Sequence, residues 1–551
     1  MTSSAGPATA GFVRALFAGR LEAAAIFPYP RQSSDQAETT EAIVTSVAEW
    51  AASAIDPARI DHEKKIPSSV IDGLRELGLF GLTIPEEYGG AGQGQVTYAR
   101  VMETVAQRCA STVTVLGAQL GIGMKALLLY GTPAQKAHWL PRLASGERIA
   151  AFALTEAGAG SDAAALATRA EPARDGSWQL NGRKIWITNG GIANAFTVFA
   201  RTPDPARPGA KPNEWPISAF WVERERKGLS TGKPEDKLGL CGSSTTEVAL
   251  EDVLVPPEAL IGARGDGFKV ALNVLNSGRH GLAACCIGQA KLARALAWKH
   301  AAERVQFARP IAHFGMVQEL LAGMDADLYA LEASTYLTAG LADQERETML
   351  EAACCKLHAT ERLWQIASDA LQVTGGTGFM REYPFERILR DARINMIFEG
   401  TNQVLRMMIG FQGLRSLQRG ELAAAEVGAT RARAALALVP ASLAAERSEL
   451  EALVPRFAAR CQAALLRHGE RVREAQFTLH RLADMVTALF VSAAVLARAS
   501  ASDALGTLPA RELDLARLAC RRAHKDFQRA AHEEENPDDE LIERVARSGA
   551  P

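Results

Sequence analysis

Phe398-Glu399-Gly400-Thr401-Asn402-Gln403 is the stretch that decides how this 551-residue chain is read. A single carboxylate stands between a bulky apolar residue and a glycine, with hydroxyl and amide side chains following. Upstream, Ile394-Asn395-Met396-Ile397-Phe398 is almost wholly apolar, so Glu399 is expected at the edge of a greasy environment. Such surroundings disfavour the charged form and raise a carboxyl pKa towards the range useful to a general base. Gly400, lacking a Cβ, lets a ligand approach the backbone closely. The plainer reading of the same residues is a helix N-terminal turn whose glutamate faces the dipole.

Two neighbouring stretches decide between those readings. Gln372-Val373-Thr374-Gly375-Gly376-Thr377-Gly378-Phe379 and Arg387-Ile388-Leu389-Arg390-Asp391-Ala392-Arg393 precede the Glu-Gly-Thr run. Together the three resemble the catalytic segment of the acyl-CoA dehydrogenase family, whose glutamate abstracts the α-proton of an acyl-CoA and whose neighbouring residues bind FAD. Other motifs follow the same order. Leu154-Thr155-Glu156-Ala157-Gly158-Ala159-Gly160-Ser161-Asp162 is similar to the family's flavin loop, with Ala157 where a proline is usual. Trp186-Ile187-Thr188-Asn189-Gly190-Gly191 resembles the segment beside the isoalloxazine. Arg304-Val305-Gln306-Phe307 resembles the motif that crosses a dimer interface to the partner's pyrophosphate, with Val305 for threonine and Ala308 for glycine.

The resemblance assigns roles residue by residue. Glu399 is the catalytic base. FAD contacts fall to Phe152, Leu154, Thr155, Ser161, Trp186, Ile187, Thr188, Arg304, Phe307, Gln318, Gln372, Gly375, Gly376, Thr401 and Gln403. Acyl-CoA contacts fall to Ser161, Asn276, Arg279 and Gly400; Asn276 and Arg279 are one turn apart on a helix face. Relatives with a relocated base carry a glutamate where Gly278 stands, which leaves Glu399 as the only base here. The resemblance further implies a homodimer, a shared flavin site and an electron-transfer flavoprotein as acceptor. Phe27-Pro28-Tyr29-Pro30 and the long C-terminal extension, including Gln476 to Asp484 and Val495 to Ser500, are similar to the large very-long-chain branch and its assembly-factor relative. The resemblance therefore spans nearly all of the chain from residue 11.

Periodicity supplies an architecture: mainly α with a central β-domain. Residues 1–38 form an N-terminal segment, 39–150 a helical domain, 151–262 the β-domain, 263–412 a helical catalytic domain and 413–551 an additional helical domain. Ser68 to Leu79 has helical spacing and a glycine stop, and Ile84 to Gly90 is a loop. Val113 to Tyr130 reads as one helix, whose Gly117, Gly121 and Gly123 serve either close helix packing or room for a ligand. Asn181-Gly182, between Trp178-Gln179-Leu180 and Lys184 to Thr188, predicts a tight hairpin. With Phe196 to Phe199, Ile217 to Val222 and Thr246 to Leu250 it predicts an antiparallel barrel or sandwich. The resemblance implies a barrel there and a four-helix bundle in the catalytic domain. Val317, Leu320, Leu321, Met324, Leu328 and Leu331 form an apolar stripe. Beyond residue 413 a mobile connector is expected before the added helices.

Composition excludes several classes. A net charge of −2 gives no electrostatic case for nucleic acid. Eight cysteines without CxxC spacing point to reduced thiols in a cytosol-like compartment, cytoplasmic in a bacterium or the matrix of a mitochondrion. Cys285-Cys286 and Cys354-Cys355 read as buried thiols, and His532-Glu533-Glu534-Glu535 as a solvated helix face rather than a metal site. Arg14 and Arg20 leave a transit peptide open against a structured N-terminus. No charge-free apolar run is long enough to span a bilayer, and Met485 to Ala497 reads as a buried helix. Arg431, Arg433, Leu436, Leu438, Val439 and Leu443 mix basic and apolar groups, so peripheral membrane contact stands beside a dimer-supporting helix. GxGxxG after a strand, HExxH and GxSxG are absent. The rivals to a dehydrogenase are a non-catalytic respiratory assembly scaffold of the same fold and an acyl-CoA oxidase.

Overall fold

The computed structural model describes residues 11–420, 435–506, 508–535 and 537–549. Within them the chain passes from helix to strand at Ala150 and back to helix at Gly267. The architecture is the expected helical, sheet and helical-bundle series followed by further helices. It groups into two units: Ser34–Ala293 with Gly375–Glu399, and Met1–Ser33 with Arg294–Thr374 and Gly400–Pro551. The boundary expected at 412/413 falls inside the helix Asn402–Gln418.

In the first unit the strands are β1 (Ala150–Ala153), β2 (Arg169–Pro172), β3 (Trp178–Thr188), β4 (Ala195–Arg201), β5 (Ile217–Glu223), β6 (Leu229–Thr231), β7 (Thr245–Val255) and β8 (Leu260–Ile261). They lie in the order β6-β7-β3-β2-β4-β5-β8, with β1 also paired to β4. Two corrections follow. The sheet is mixed, because β1 and β2 both run parallel to β4; β6, paired to β7, and β8, paired to β5, end the strand order. The expected hairpin at Asn181-Gly182 is absent: β3 is one strand, paired along its length with β7, and its register shifts between Leu180 and Gly182. Asn181 forms this bulge by donating from Nδ2 to Asp252 Oδ1 (3.0 Å) and accepting from the Asp252 N–H (2.8 Å). Glycine is needed at 182 because a Cβ there would collide with Thr168.

The helices of this unit begin with Ser34–Ala54 packed on Gln95–Arg108, joined by Thr40 and Thr97 hydroxyls 2.8 Å apart. Ser68–Glu76 ends ahead of Gly78 at φ +67, the expected glycine stop. The helix expected over Val113 to Tyr130 is broken into Ala110–Leu116, a π-helical stretch Gly117–Gly123 and Lys125–Tyr130. Here Met124 N–H reaches back five residues to Gln119 O. Gly123 abuts the Ala150 backbone, where a Cβ would sit 2.8 Å from the carbonyl oxygen. Packing accounts for this glycine.

The second unit is helical. Gly315–Asp343 packs on Met349–Thr374, and Gln476–Ala504 packs on Gly315–Asp343, Asn402–Gln418, Ala444–His468 and Ala510–Glu535. Ion pairs stitch these elements: Arg498 to Glu332 (2.7 Å), Arg522 to Asp327 (2.7 Å) and Arg406 to Asp484 (2.7 Å). The extension thus shares one core with catalytic-segment helices instead of standing as a separate layer. Its apolar helix Gln476–Ala504 and the stretch Ala110–Tyr130 are long and apolar enough to cross a membrane, yet 89% and 67% of their most apolar windows are buried within the protein. Residues Phe12–Phe17 form a helix in the same core, with Phe17 edge-on to Phe457 at 5.0 Å. Gly413 is required beneath it, since a Cβ would overlap the Phe17 ring. Of the basic and apolar groups considered for a membrane surface, Arg431 and Arg433 lie outside the described residues, as does most of the connector after 413. Leu436, Val439 and Leu443 are buried, leaving Leu438 exposed.

Glu351 gives this core a pH dependence. It is buried, accepts from Val13 N–H (2.9 Å), and its carboxyl is pushed up to about 7 by burial and by the charge of Glu347. A raised folded-state value means the folded protein holds a proton that the unfolded chain releases above the ordinary glutamate value of 4.5. Stability from this group therefore falls as pH rises from about 4.5 to about 7. Glu351→Gln keeps the acceptor and removes the titration. Its thermal midpoint should match wild type near pH 4.5 and exceed it by several degrees at pH 8; superimposable pH profiles would refute the assignment.

Candidate active site

The helix Phe385–Arg393 and the turn Ile394–Met396 deliver the chain to Glu399. Their anchors are buried or bridged. Asp391 accepts from Leu240 N–H (2.6 Å), its carboxyl pushed up to about 6 by burial, and Arg390 clamps both Asp61 (2.7 Å) and Glu386 (2.6 Å). Glu399 then adopts φ +59 and Gly400 φ +89. Left-handed geometry at a glutamate is costly and is found mainly where surrounding structure imposes it, often at functional sites. Thr401 follows as the N-cap of Asn402–Gln418, accepting from Val404 N–H (3.2 Å). The glutamate is thus two residues outside the helix, not a first-turn dipole partner.

Glu399 lines a mostly apolar cavity with Thr188, Tyr98, Gly117, Ile122 and Gly278 among its other walls. Gly278 faces the carboxylate: a Cβ there would lie 3.3 Å from Glu399 Oε2 and 3.1 Å from Ile122. The glycine that replaces the alternative base also leaves space for this one. Next along the helix Gly267–Glu303, buried Arg279 donates to Asn276 Oδ1 (2.6 Å). Burial pushes the guanidinium down to about 10 against the favourable pull of the Glu399 charge, so it remains a cation near the base. Gly117 borders the cavity directly, and its added Cβ would meet only the flexible end of Met102, at 3.3 Å. Gly121 sits between Tyr98 Oη and Gly278.

The flavin-like motifs of this unit converge on β3. Ile185 N–H donates to Thr155 O (2.9 Å), and buried Lys184 donates to Leu154 O (3.2 Å) and Glu156 Oε1 (2.6 Å). Burial pushes Lys184 down to about 8. Burial also works to raise Glu156, but Lys184 and Thr168 hold it below the usual carboxylate range. The two form an ion pair that fixes the loop. Phe152 and Leu154 are buried, with Phe152 against Phe199 at 4.9 Å, whereas Ser161 is exposed. Trp186 stands at φ +56 with 63% of its surface exposed, while Ile187 is buried. Gly158 and Gly160 would present a Cβ to open space. An exposed indole on strained backbone, flanked by an open glycine loop and by Thr188 on the Glu399 cavity, fits the flat ring of FAD.

The remaining motif residues belong partly to the other unit. Arg304 precedes a hairpin, Val305–Gln306 with Arg309–Pro310, whose turn residues Phe307 and Ala308 have φ +50 and +62. Phe307 is 90% exposed at its tip, and Gln318 is exposed in the first turn of Gly315–Asp343. Gln372 and Gln403 are exposed near helix ends. Gly375, at φ +57, and Gly376 lie in the first unit, both facing open space. Among the described residues no cluster of three or more metal-ligating side chains occurs.

Sequence reasoning missed Lys356. Fully buried in Met349–Thr374, it donates to Gly400 O (2.9 Å) and Asn402 Oδ1 (2.8 Å); Asn402 in turn meets Thr360 (3.1 Å) and Glu361 (3.1 Å). A lysine after Ala352-Ala353-Cys354-Cys355 is its only signal. Sequence reasoning also missed Lys184, whose signal is a charge at an inward position of a strand.

With this geometry in hand, comparison with known proteins is informative. Residues 37–147, 151–253 and 265–414 match the N-terminal, middle and C-terminal domains of acyl-CoA dehydrogenase, and 441–548 match the ACAD9/ACADV C-terminal domain. The mitochondrial very long-chain specific acyl-CoA dehydrogenase of Mus musculus is 39% identical over 518 residues, covering 89% of this chain and 79% of its own length. The crystal structure of an acyl-CoA dehydrogenase complexed with FAD from Bacillus anthracis superposes with a TM-score of 0.85 at 30% identity, over 98% of this chain and 95% of that one. A chain from the structure of the electron transferring flavoprotein of Acidaminococcus fermentans aligns with a TM-score of 0.66 at 36% identity, over 70% of this chain and 99% of its own.

Lys356→Met tests the tie behind Gly400. It preserves length and burial but leaves a carbonyl and an amide oxygen without their cation, a cost of about 1–3 kcal/mol for each buried polar group. A fall of several degrees in thermal midpoint is expected; an unchanged midpoint would remove Lys356 from this role.

Proposed function

The chain belongs to the acyl-CoA dehydrogenase family, and on that premise we propose that it oxidises long- or very-long-chain acyl-CoA thioesters to their trans-2-enoyl counterparts. The observation that carries the reading is the single apolar cavity bordered by both Glu399 and Thr188. A thioester α-carbon is a weak acid, so its proton leaves only if the base is close and the developing enolate is stabilised. Glu399 takes the α-proton. Its own backbone N–H is the donor assigned to the thioester oxygen, and one fixed donor in a dry site contributes about 3–4 kcal/mol. Bound FAD supplies the hydride-accepting chemistry at the β-carbon. Phe152 to Ser161 and Trp186 to Thr188 are assigned to its ring side, and Arg279 and Asn276 to the acyl-CoA.

Arg304, Phe307, Gln318, Gln372, Gly375, Gly376, Thr401 and Gln403 are assigned to FAD within a homodimer. The exposed Phe307 at a hairpin tip supports that reading, since a large aromatic left in water is typical of a surface awaiting a partner. Electrons leave to an external acceptor, for which we assign an electron-transfer flavoprotein.

Anaerobic addition of acyl-CoAs of graded length to FAD-loaded protein is the direct test. Long saturated chains should bleach the visible flavin band, and failure of every acyl-CoA would overturn the reading. Glu399→Gln keeps shape without basicity. It should retain flavin and ligand while turnover falls on the order of 10²–10⁴-fold, and near-normal turnover would exonerate the residue.

Chain length is set by depth. Gly117 leaves the cavity wall without a side chain, whereas Gly123 answers to packing on Ala150. Each buried methylene adds about 0.8 kcal/mol, so a few carbons produce large preferences. Gly117→Leu should therefore move the optimum to shorter acyl-CoAs in a protein that still binds flavin; an unshifted optimum would show that the chain does not run past this wall.

A further inference from the structure

The cavity is not apolar throughout. Gln289 and Asn395 line it, and both are almost fully buried, at 4% and 2% exposure. Gln289 Oε1 and Asn395 Nδ2 have no hydrogen-bond partner in the structure. Swapping the oxygen and nitrogen of either amide would still leave a polar atom facing the same space, so the feature does not depend on amide orientation. Backbone movement does not relieve it at Gln289. The preceding residue, Gly288, is pressed against the Glu103 carbonyl so closely that a Cβ would overlap it, which fixes this turn of the helix.

Position matters as much as polarity. Gly278 faces the Glu399 carboxylate, and Gln289 lies eleven residues further along the same helix Gly267–Glu303. At 1.5 Å per residue that is about 16 Å along the helix axis from Gly278. Gln289 also borders a second, polar cavity that contains Asp61, Arg108 and Asp391. Of the residues of this helix that line the first cavity, Gln289 is the one furthest along from Gly278. A plain alkyl chain reaching this wall would leave a buried acceptor and a buried donor unmet, which disfavours it. A hydroxyl supplies one donor and two acceptor sites, and so matches the hydrogen-bonding needs of a buried acceptor and of a buried donor alike.

We propose that the distal part of this cavity is built for an acyl chain bearing a hydroxyl group, and that Gln289 and Asn395 recognise it. The proposal rests on the acyl-CoA dehydrogenase reading of the same cavity and names a substrate class within it: long acyl-CoAs hydroxylated far from the thioester. The chemistry at the α- and β-carbons is unchanged. The two amides act on selection alone.

The experiment walks one hydroxyl along the distal half of an acyl-CoA of fixed length and measures kcat and KM on the FAD-loaded enzyme. One or two positions should show kcat/KM about tenfold above their neighbours and above the saturated parent, mainly through KM, as expected for an interaction made equally before and during reaction. Gln289→Leu and Asn395→Leu should flatten that peak and improve the saturated parent. If a variant fails to hold flavin, the wild-type scan decides by itself. Oxidation of saturated chains with a flat or uniformly unfavourable hydroxyl scan overturns this proposal alone. So does a peak that survives in both variants, or a loss of stability in them with selectivity intact, which would assign the amides to ordered water. Failure to oxidise any acyl-CoA overturns the dehydrogenase reading and this proposal together.

Discussion

A carboxylate that serves as a base beside an apolar cavity must be held in place by something other than its own side-chain contacts, and here the backbone supplies the hold. Glu399 and Gly400 take consecutive left-handed conformations, which turn the side chain to the cavity while the chain prepares to enter a helix. Such a turn persists only if its next carbonyl is tied down. Lys356 ties it, through Gly400 O, and the same ammonium meets Asn402, the first residue of the helix. From Asn402 the hydrogen bonds run to Glu361, from Glu361 to Arg406, and from Arg406 to Asp484 in the extension. The extension is thereby joined to the residue after the base by side chains with named partners, which gives its helix Gln476–Ala504 a part in the site as well as in the core.

The cavity itself is made by omission. Gly117 and Gly278 line it, and each stands where even a methyl group would take space from the substrate or from the carboxylate. Gly123 and Gly288, on the same two helical stretches, answer instead to backbone packed against backbone. Glycine thus has two separate roles a few residues apart, and spacing alone does not distinguish them. The π-helical stretch Gly117–Gly123 reflects both demands: three of its seven residues are glycines, and it places Ala118 and Ile122 on the cavity wall.

What was legible in the sequence was what local chemistry controls. Helix and strand order, the buried thiols, the glycine stop at Gly78, and the isolated carboxylate of Glu399 all follow from short-range pattern. The Asn181-Gly182 hairpin was misread because that dipeptide satisfies a bulge as well as a turn, and only the partner decides which. Here Asp252 on β7 captures Asn181, and Thr168, just ahead of β2, leaves no room at residue 182. Sheet closure was likewise beyond local reading, since strand order depends on pairings tens of residues apart. Arg304, Phe307 and Gln318 carried motif information, yet the reasons for their exposure lie in what meets them. Lys356 carried almost none, because one lysine in an apolar helix has the same appearance whether it reaches solvent or a carbonyl.

Lys184 and Lys356 suggest why buried cations recur behind segments that carry site residues. Each donates to main-chain oxygens of a segment bearing site residues: Lys184 to Leu154 in the flavin-like loop, Lys356 to Gly400 beside the base. A carbonyl–ammonium bond fixes a loop at a point where no regular ladder reaches it, and in a dry interior such charge-assisted bonds are strong. The cost is desolvation of the ammonium, visible at Lys184 as a value pushed down to about 8. A neutral amide could make the same bonds more cheaply, but it would accept as readily as donate, and its orientation would be free to invert. An ammonium cannot accept at all. Where a loop must present particular carbonyls inward and keep its amides available for a ligand, a donor-only group selects that arrangement and rejects the alternative.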